Sequence, residues 1–398
     1  MTDFPVSTPT FYGRQEPLEI LSRTLTPNST GRKGVVLYGI GGSGKTQLTL
    51  RYVEQNKDMF RAVFWINTFT LEQMTQSLSD AILGIQRFWP SKDLPNPYQG
   101  DDKAAFLRAR LRSTLHRDWL LILDSADDLE QINLLQLIPN CDHGSVVVTS
   151  TRKQASDILA QHHFEAIEID KLDEESSKML LVGKSGSTPT DSDSGPISRI
   201  VKELNCLPIA LEQAGILLRK RVLTFDNFVI EYKRHYEKLM GPPAKPMDVF
   251  HEKERSIGTI LSMLYTHVAS ESHDAAMLLQ VIAILGPSRI PVRFLLEIAE
   301  IRPKVPDIDP SIANMPIVPG DETLLRLHLS ILEDLCLLSI QTSLSSESVL
   351  LHRLICQWLT DSSNVHMNDR VIPTAIAIYN VLCQEKRDLD WYVAFLAV

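Results

Sequence analysis

The residues best suited to chemistry in this chain are consecutive: Gly39-Ile-Gly-Gly-Ser-Gly-Lys-Thr46. They fit the phosphate-binding pattern G-x-x-x-x-G-K-[ST]. Gly39, Gly41, Gly42 and Gly44, with Ser43 among them, let successive backbone N–H groups turn inward and approach phosphate oxygens closely. A helix starting at the end of the loop adds its partial positive charge. Lys45 then reaches a β-phosphate, and a γ-phosphate where there is one. Thr46 offers its hydroxyl to Mg²⁺, and Gln47 follows in the same turn. Two other stretches carry matching groups. Trp119-Leu-Leu-Ile-Leu-Asp124 ends an apolar run on a carboxylate suited to Mg²⁺. Gly144-Ser-Val-Val-Val-Thr-Ser-Thr-Arg152 ends another on a cation suited to a γ-phosphate.

These groups need strands and helices to bring them together. Val-Val-Leu-Tyr at 35–38 suits a buried strand, and residues 47–53 carry apolar side chains at helical spacing. Further strands are expected at 61–66, 119–124, 144–149 and 165–170. Helices are expected before 25 and over 70–83, 103–116 and 128–137. Apolar strands alternating with helices predict a parallel five-stranded sheet covered on both faces. Ligands of such sheets sit beyond the C-terminal strand ends, where the phosphate loop, Asp124 and Thr149 to Arg152 all fall.

The pattern changes after Asp170. Helices are expected over 173–183, 197–204, 208–219 and 225–239, forming a small bundle. Gly241-Pro-Pro-Ala-Lys-Pro reads as a stiff linker. Helices at 257–268, 272–285, 291–299 and 324–333 then precede short strands at 337–341 and 348–352, the outline of a winged helix. The boundaries expected are a disordered lead (1–10), a nucleotide-binding domain (11–171), a helical bundle (172–240), a linker (241–253), a winged-helix-like domain (254–366) and a helical tail (367–398). The whole is an α/β phosphate-loop fold with two smaller domains after it.

Composition narrows the functional classes. Hydrophobic residues make up 44% and charged residues 22% of the 398, ordinary for a globular protein. A net charge of −9 argues against a general nucleic-acid binder, which needs clustered Lys and Arg. No apolar run approaches the roughly 20 residues that cross a bilayer. The N-terminus lacks a basic and an apolar segment, so no signal peptide is expected. The five cysteines (141, 206, 336, 356 and 383) are scattered and never spaced C-x-x-C. They read as reduced thiols of a cytoplasmic protein.

Ordered motifs over residues 11–360 resemble the NB-ARC class of signal-transduction ATPases, the nucleotide-binding core of plant resistance proteins and fungal NOD-like proteins. Phe11-Tyr-Gly13-Arg14 is similar to that family's adenine-flanking motif. Leu121-Ile-Leu-Asp124 is similar to its Walker B strand, and the run ending in Arg152 to its sensor strand. Cys206-Leu-Pro208-Ile-Ala210 stands where the family has Gly-Leu-Pro-Leu-Ala, and Leu351-His352-Arg353 where it has Met-His-Asp. The resemblance implies that ADP or ATP with Mg²⁺ is held by Phe11, Gly13, Arg14, the loop 39–47, Arg152, Pro208 and His352, with Asp124 as the catalytic and, with Thr46, metal-binding acid. It also implies a clamp on ADP that exchange for ATP opens, with self-association in the ATP state. The signalling setting would be innate-immunity-like or of the heterokaryon type. A C-terminal repeat domain beyond these residues, or a separate effector protein, is the expected partner, and neither a membrane nor nucleic acid is.

Two departures bear on catalysis. Ser125 follows Asp124 where many relatives have a second acid, so at most weak hydrolysis is expected, with Asp127 or Asp128 as poor substitutes. Arg353 replaces the family's Asp and cannot accept its hydrogen bonds. The rival readings are an active NTPase and a winged-helix transcription regulator, though residues 324–338 carry more acids than suit a phosphate-facing surface.

Overall fold

The computed structural model describes residues 8, 10–26, 31–88, 102–113, 117–239, 252–286, 290–301, 321–342 and 347–360. The segments 89–100 and 302–320, most of the expected lead and linker, and the tail lie outside them. The chain divides into two compact units, Met1–Leu172 and Asp173–Val398.

The first unit is built on a parallel sheet of β1 (Lys33–Tyr38), β2 (Ala62–Asn67), β3 (Trp119–Asp124), β4 (Ser145–Ser150) and β5 (Phe164–Glu168). Its order is β2-β3-β4-β1-β5. Every pairing is parallel, and Tyr38 of β1 stands opposite Ser150 of β4. The strands alternate between two cores, as side chains of period two must. Val36, Phe64, Ile66, Leu121, Leu123, Val146 and Val148 face α3 (Leu71–Phe88) and α4 (Lys103–Leu111). Val35, Leu37, Val63, Trp65, Leu120, Ile122 and Val147 face the other way, toward α1 (Gln15–Thr24) and α2 (Lys45–Gln55). Because both faces are buried, the strands read as continuous apolar runs in the sequence.

Four local expectations are corrected. The helix expected over 128–137 is reduced to isolated turns, one of them the 3-10 turn Leu134–Gln136. The apolar residues there, Ile132, Leu134, Leu137 and Ile138, are buried in the first core. They pack as an irregular segment, so burial alone produced the helical look. The helix α5 (Gln154–Ala160) follows β4 without having been foreseen. The helix expected over 103–116 ends at Leu111. A further helix, Arg353–Thr360, starts where the sequence suggested only the end of a strand.

The second unit holds α6 (Glu174–Ser185), α7 (Ser194–Glu203), α8 (Pro208–Arg219), α9 (Phe228–Leu239), α10 (Glu252–Glu271) and α11 (His273–Ile284). The start of α10 lies inside the segment expected as linker. Next come β6 (Ile290–Pro291), α12 (Val292–Ile301), α13 (Glu322–Asp334), β7 (Leu338–Thr342), β8 (Glu347–Leu351) and α14 (Arg353–Thr360). The three strands form an antiparallel sheet in the order β6-β8-β7. The helices α6 and α8 cross closely at Gly215, where a Cβ would come within 2.5 Å of the Lys184 Cβ. The Lys184–Glu212 ion pair closes over the same crossing. Among the described residues no helix is long and apolar enough to cross a membrane.

Candidate functional site

The first unit gathers the loop, the acid and the arginine at the C-terminal edge of its sheet. The loop leaves β1 through Gly39, whose φ of +146° an L side chain rarely adopts. A Cβ there would lie 2.2 Å from the Ile169 carbonyl oxygen. Gly42 (φ +76°) and Gly44 (φ +93°) continue the turn in left-handed backbone. Gly44 is the N-cap of α2 and offers no side-chain cap, and the first turn of α2 contains no acid. The N–H groups at the start of a helix have no partner within it. Here the first such bond runs from Leu48 N–H to Gly44 O, at 2.8 Å. The N–H groups of the first turn are thus directed at the loop, where an anion would satisfy them. The Ser43 hydroxyl, buried in the same loop, has no hydrogen-bond partner. The loop therefore fits a phosphate group on two separate grounds.

Lys45 is only 8% exposed and donates from Nζ to the carbonyls of Gly39 and Ile40, at 2.8 and 2.9 Å. Its ammonium thus lies back along the inside of the loop. Thr46 donates to Asp124 Oδ1 at 2.9 Å, joining the helix start to the end of β3. The same carboxylate oxygen accepts from the Thr149 hydroxyl at 2.6 Å, and Thr149 Oγ accepts in turn from Ser125 N–H at 2.8 Å. The Asp124 carbonyl is held by Thr68, from N–H and hydroxyl, both at 2.8 Å. Asp124 is 7% exposed, and the Thr46 and Thr149 hydroxyls offset the cost of burying its carboxylate. Hard oxygen donors from Thr46 and Asp124 suit Mg²⁺. Among the described residues no group of three or more His, Cys, Asp or Glu side chains could hold a metal. A Mg²⁺ here would need nucleotide oxygens and water for the rest of its shell.

Replacing Thr149 with valine keeps the shape and removes the donor. It is expected to lower the stability of the first unit by about 1–3 kcal/mol, the worth of a hydrogen bond to a buried charge. Urea unfolding measures this, and an unchanged midpoint would show that Asp124 does not depend on Thr149.

The N-terminal segment folds over the same loop. Arg14 has φ +67° directly before α1, and its guanidinium donates to Ser43 O at 3.1 Å and to the Asp170 carbonyl. Gly13 (φ +68°) provides the turn before it, and Phe11 packs against the core that includes Leu37 and Leu48. The Gln47 side chain accepts from Thr8 N–H at 3.0 Å. Arg152 is exposed just past β4.

Pro208 and His352 belong to the second unit. Pro208 is the first residue of α8, where its missing N–H costs nothing. Asn205 and Cys206 before it both have positive φ, at +53° and +54°. Cys206 thus occupies a left-handed position that glycine fills without strain, which accounts physically for the glycine in the similar family motif. His352 accepts from Leu354 N–H on Nδ1 at 3.2 Å, so its ring proton sits on Nε2. His352 is an exposed residue, and crowding by protein, and then the Arg353 guanidinium, lower the pKa of its ring.

Thr68 has no signal in the sequence, and Thr149 and Ser150 stand out there only as part of the run that ends at Arg152. Their roles depend on β3 lying between β2 and β4, and no local pattern announces that order. A Cys141-Asp-His143 run at the opposite edge of the sheet is structural. His143 is tied to Asp142 and to Leu111 O, both at 3.0 Å, and burial raises the pKa of the Cys141 thiol.

Residues 14–190 match the NB-ARC domain family. A nucleotide-binding leucine-rich repeat (NLR)-like protein of Hyaloscypha variabilis is 27% identical over 248 residues, 56% of this chain and 24% of its own length. The match thus spans about a quarter of that relative. Looser likenesses are a Walker-type ATPase of Pyrococcus abyssi (TM-score 0.43, 15% identity, 90% of this chain and 99% of that one) and Cdc6p of Pyrobaculum aerophilum (TM-score 0.39, 16% identity, 96% and 98%). The phosphate loop and the five-stranded parallel sheet thus lie within residues 14–190, the stretch of this chain that matches the NB-ARC domain.

Proposed function

We propose that this protein is an adenine-nucleotide switch: it holds ADP at rest, and exchange for ATP changes its conformation and promotes self-association. The observation that carries this reading is the uncapped start of α2, with Lys45 folded inside the loop and Thr46 wired to the buried Asp124. In that arrangement the N–H groups and Lys45 bind phosphates. Thr46 and Asp124 would hold Mg²⁺, which when bound would neutralise phosphate charge. Arg152, at the end of β4, would read the γ-phosphate, and the differential contact would bias two states. Phe11, Gly13 and Arg14 would flank the base. A cytoplasmic setting and a separate or adjoining effector complete the proposal.

Turnover as the purpose is less well supported. Ser125 offers no carboxylate, and Asp127 accepts hydrogen bonds from the end of β4. DNA recognition by α13 is also less well supported, because its Arg326 is paired with Glu322 and Glu347.

The test is to purify the chain gently, denature it and identify the nucleotide released. ADP in near-stoichiometric amount is expected, together with hydrolysis well below about 1 s⁻¹, the slow end of ordinary enzymes. Recovery of no adenine nucleotide, with equal nucleotide affinities for wild type and Lys45→Ala, would overturn the reading.

A further inference from the structure

The backbone that carries Arg152 is held from the neighbouring strand, and a single carboxylate takes a large share in holding it. Asp127 follows β3 by only a few residues. Its Oδ1 accepts from Thr151 N–H and lies 3.0 Å from the Ser150 hydroxyl. Ser150 is fully buried. Its Oγ also lies 2.7 Å from Ala126 O and accepts from Arg152 N–H at 3.0 Å. A hydroxyl has one proton, so Ser150 donates to Ala126 or to Asp127 while its lone pair holds Arg152. The Ala126 N–H in turn donates to Thr149 O at 2.8 Å. Residues 149–152 are thus pinned by 126–127 through a continuous set of hydrogen bonds, one of them charge-assisted. The position and direction from which the exposed Arg152 side chain departs are fixed by this set.

Asp127 could have replaced the acid missing at Ser125. Its carboxylate instead faces the end of β4. We propose that Asp127 is a positioning residue for Arg152: by fixing residues 150–152 it sets how strongly the site prefers ATP to ADP. This rests on Arg152 reading the γ-phosphate. A charged contact displaced by about 1 Å loses up to roughly a hundredfold in a rate or affinity that depends on it. Contacts shared by ADP and ATP, made by the loop and Lys45, do not pass through Asp127.

The experiment measures dissociation constants of the full chain for ADP and for ATP, both with Mg²⁺, for wild type, Asp127→Ala, Asp127→Asn, Ser150→Ala, Arg152→Ala and the Asp127→Ala/Arg152→Ala double variant. Arg152→Ala is expected to lower the preference for ATP. Asp127→Ala is expected to lower it about fivefold or more, on the scale of one charge-assisted hydrogen bond. The double variant should fall no further than Arg152→Ala alone. Asp127→Asn, whose side-chain oxygen still accepts from Thr151 N–H, should restore most of the preference. A general weakening of the fold would lower both affinities together and leave their ratio unchanged. If Asp127→Ala stays within twofold of wild type in that ratio while Arg152→Ala shifts it, the role of Asp127 is overturned and the reading of Arg152 stands. Additive losses in the double variant overturn it equally. If Arg152→Ala leaves the ratio unchanged, both fall. Should Asp127→Ala fail to fold, Ser150→Ala serves in its place, with a lowered ratio expected and an unchanged one decisive against the proposal.

Discussion

Replacing Lys45 with alanine is expected to weaken ADP and ATP binding by at least about a hundredfold, because each hydrogen bond from a charged donor is worth about 1.5–3 kcal/mol and the ammonium can make two with phosphate oxygens. The structure explains why no neighbour can replace it. Lys45 is almost completely enclosed by the loop and already lies against the Gly39 and Ile40 carbonyls. In the free protein its ammonium is held in part by those two carbonyls. Titration with a fluorescent adenine nucleotide gives the affinity, and circular dichroism checks the fold. A folded variant that keeps more than a tenth of the wild-type affinity would show that the helix start alone binds the phosphates. The Arg14 contacts to Ser43 and Asp170 should survive the change, since they do not involve the Lys45 side chain.

The largest loss of stability from one added methyl group is expected at Gly39. Its φ of +146° is strained for any L residue, and its Cβ would lie 2.2 Å from a backbone oxygen of Ile169. Backbone cannot rotate aside as a side-chain tip can. Moving Ile169 would also pull on its N–H bond to Tyr38 O, 2.7 Å, which continues the pairing of β1 with the chain past β5. Strain and overpacking together should lower the stability of the first unit by about 2–5 kcal/mol, enough to depress Tm by several degrees. Gly195 is the matched control. It lies in α7, and a Cβ there meets nothing within 4 Å. Gly195→Ala should be neutral or stabilising by about 0.5–1 kcal/mol, because alanine gives up less chain entropy on folding. Thermal unfolding of the two variants side by side tests the account. Equal Tm values would mean that the loop relaxes around the new methyl.

Both results depend on how residues far apart in the chain are arranged. The phosphate loop itself was legible because its demands are local. Four glycines, a lysine and a threonine at fixed spacing between an apolar run and a helical pattern leave few other uses. The strands were legible because a sheet buried on both faces needs unbroken apolar runs. Helix ends were less legible. Residues 128–137 have helical apolar spacing, yet they make only isolated turns, one closed by Ile132 N–H on Asp128 O and one the 3-10 turn Leu134–Gln136, because Ile132, Leu134, Leu137 and Ile138 satisfy the core without a regular backbone. The helix Arg353–Thr360 was missed for the reverse reason. The strand before it ends at Leu351, directly against the helix start, with His352 alone between them.

The sequence by itself determined which groups would do chemistry in the first unit: a cradle for phosphates, a lysine, a threonine and an aspartate, with an arginine after a core strand. These follow from residue type and short spacing, and such constraints are carried by neighbouring bonds. Only the tertiary structure decided how they are wired. The order β2-β3-β4-β1-β5 places β4 between the loop strand and the strand of Asp124. Thr149 can then hold Asp124, and Asp127 can hold the backbone of Arg152. Strand order is set by long-range packing of both sheet faces, and residues 24 or 25 positions apart become hydrogen-bond partners only once it is fixed. That is why Asp127 reads as a spare acid in the sequence and as a brace for the arginine in the folded protein.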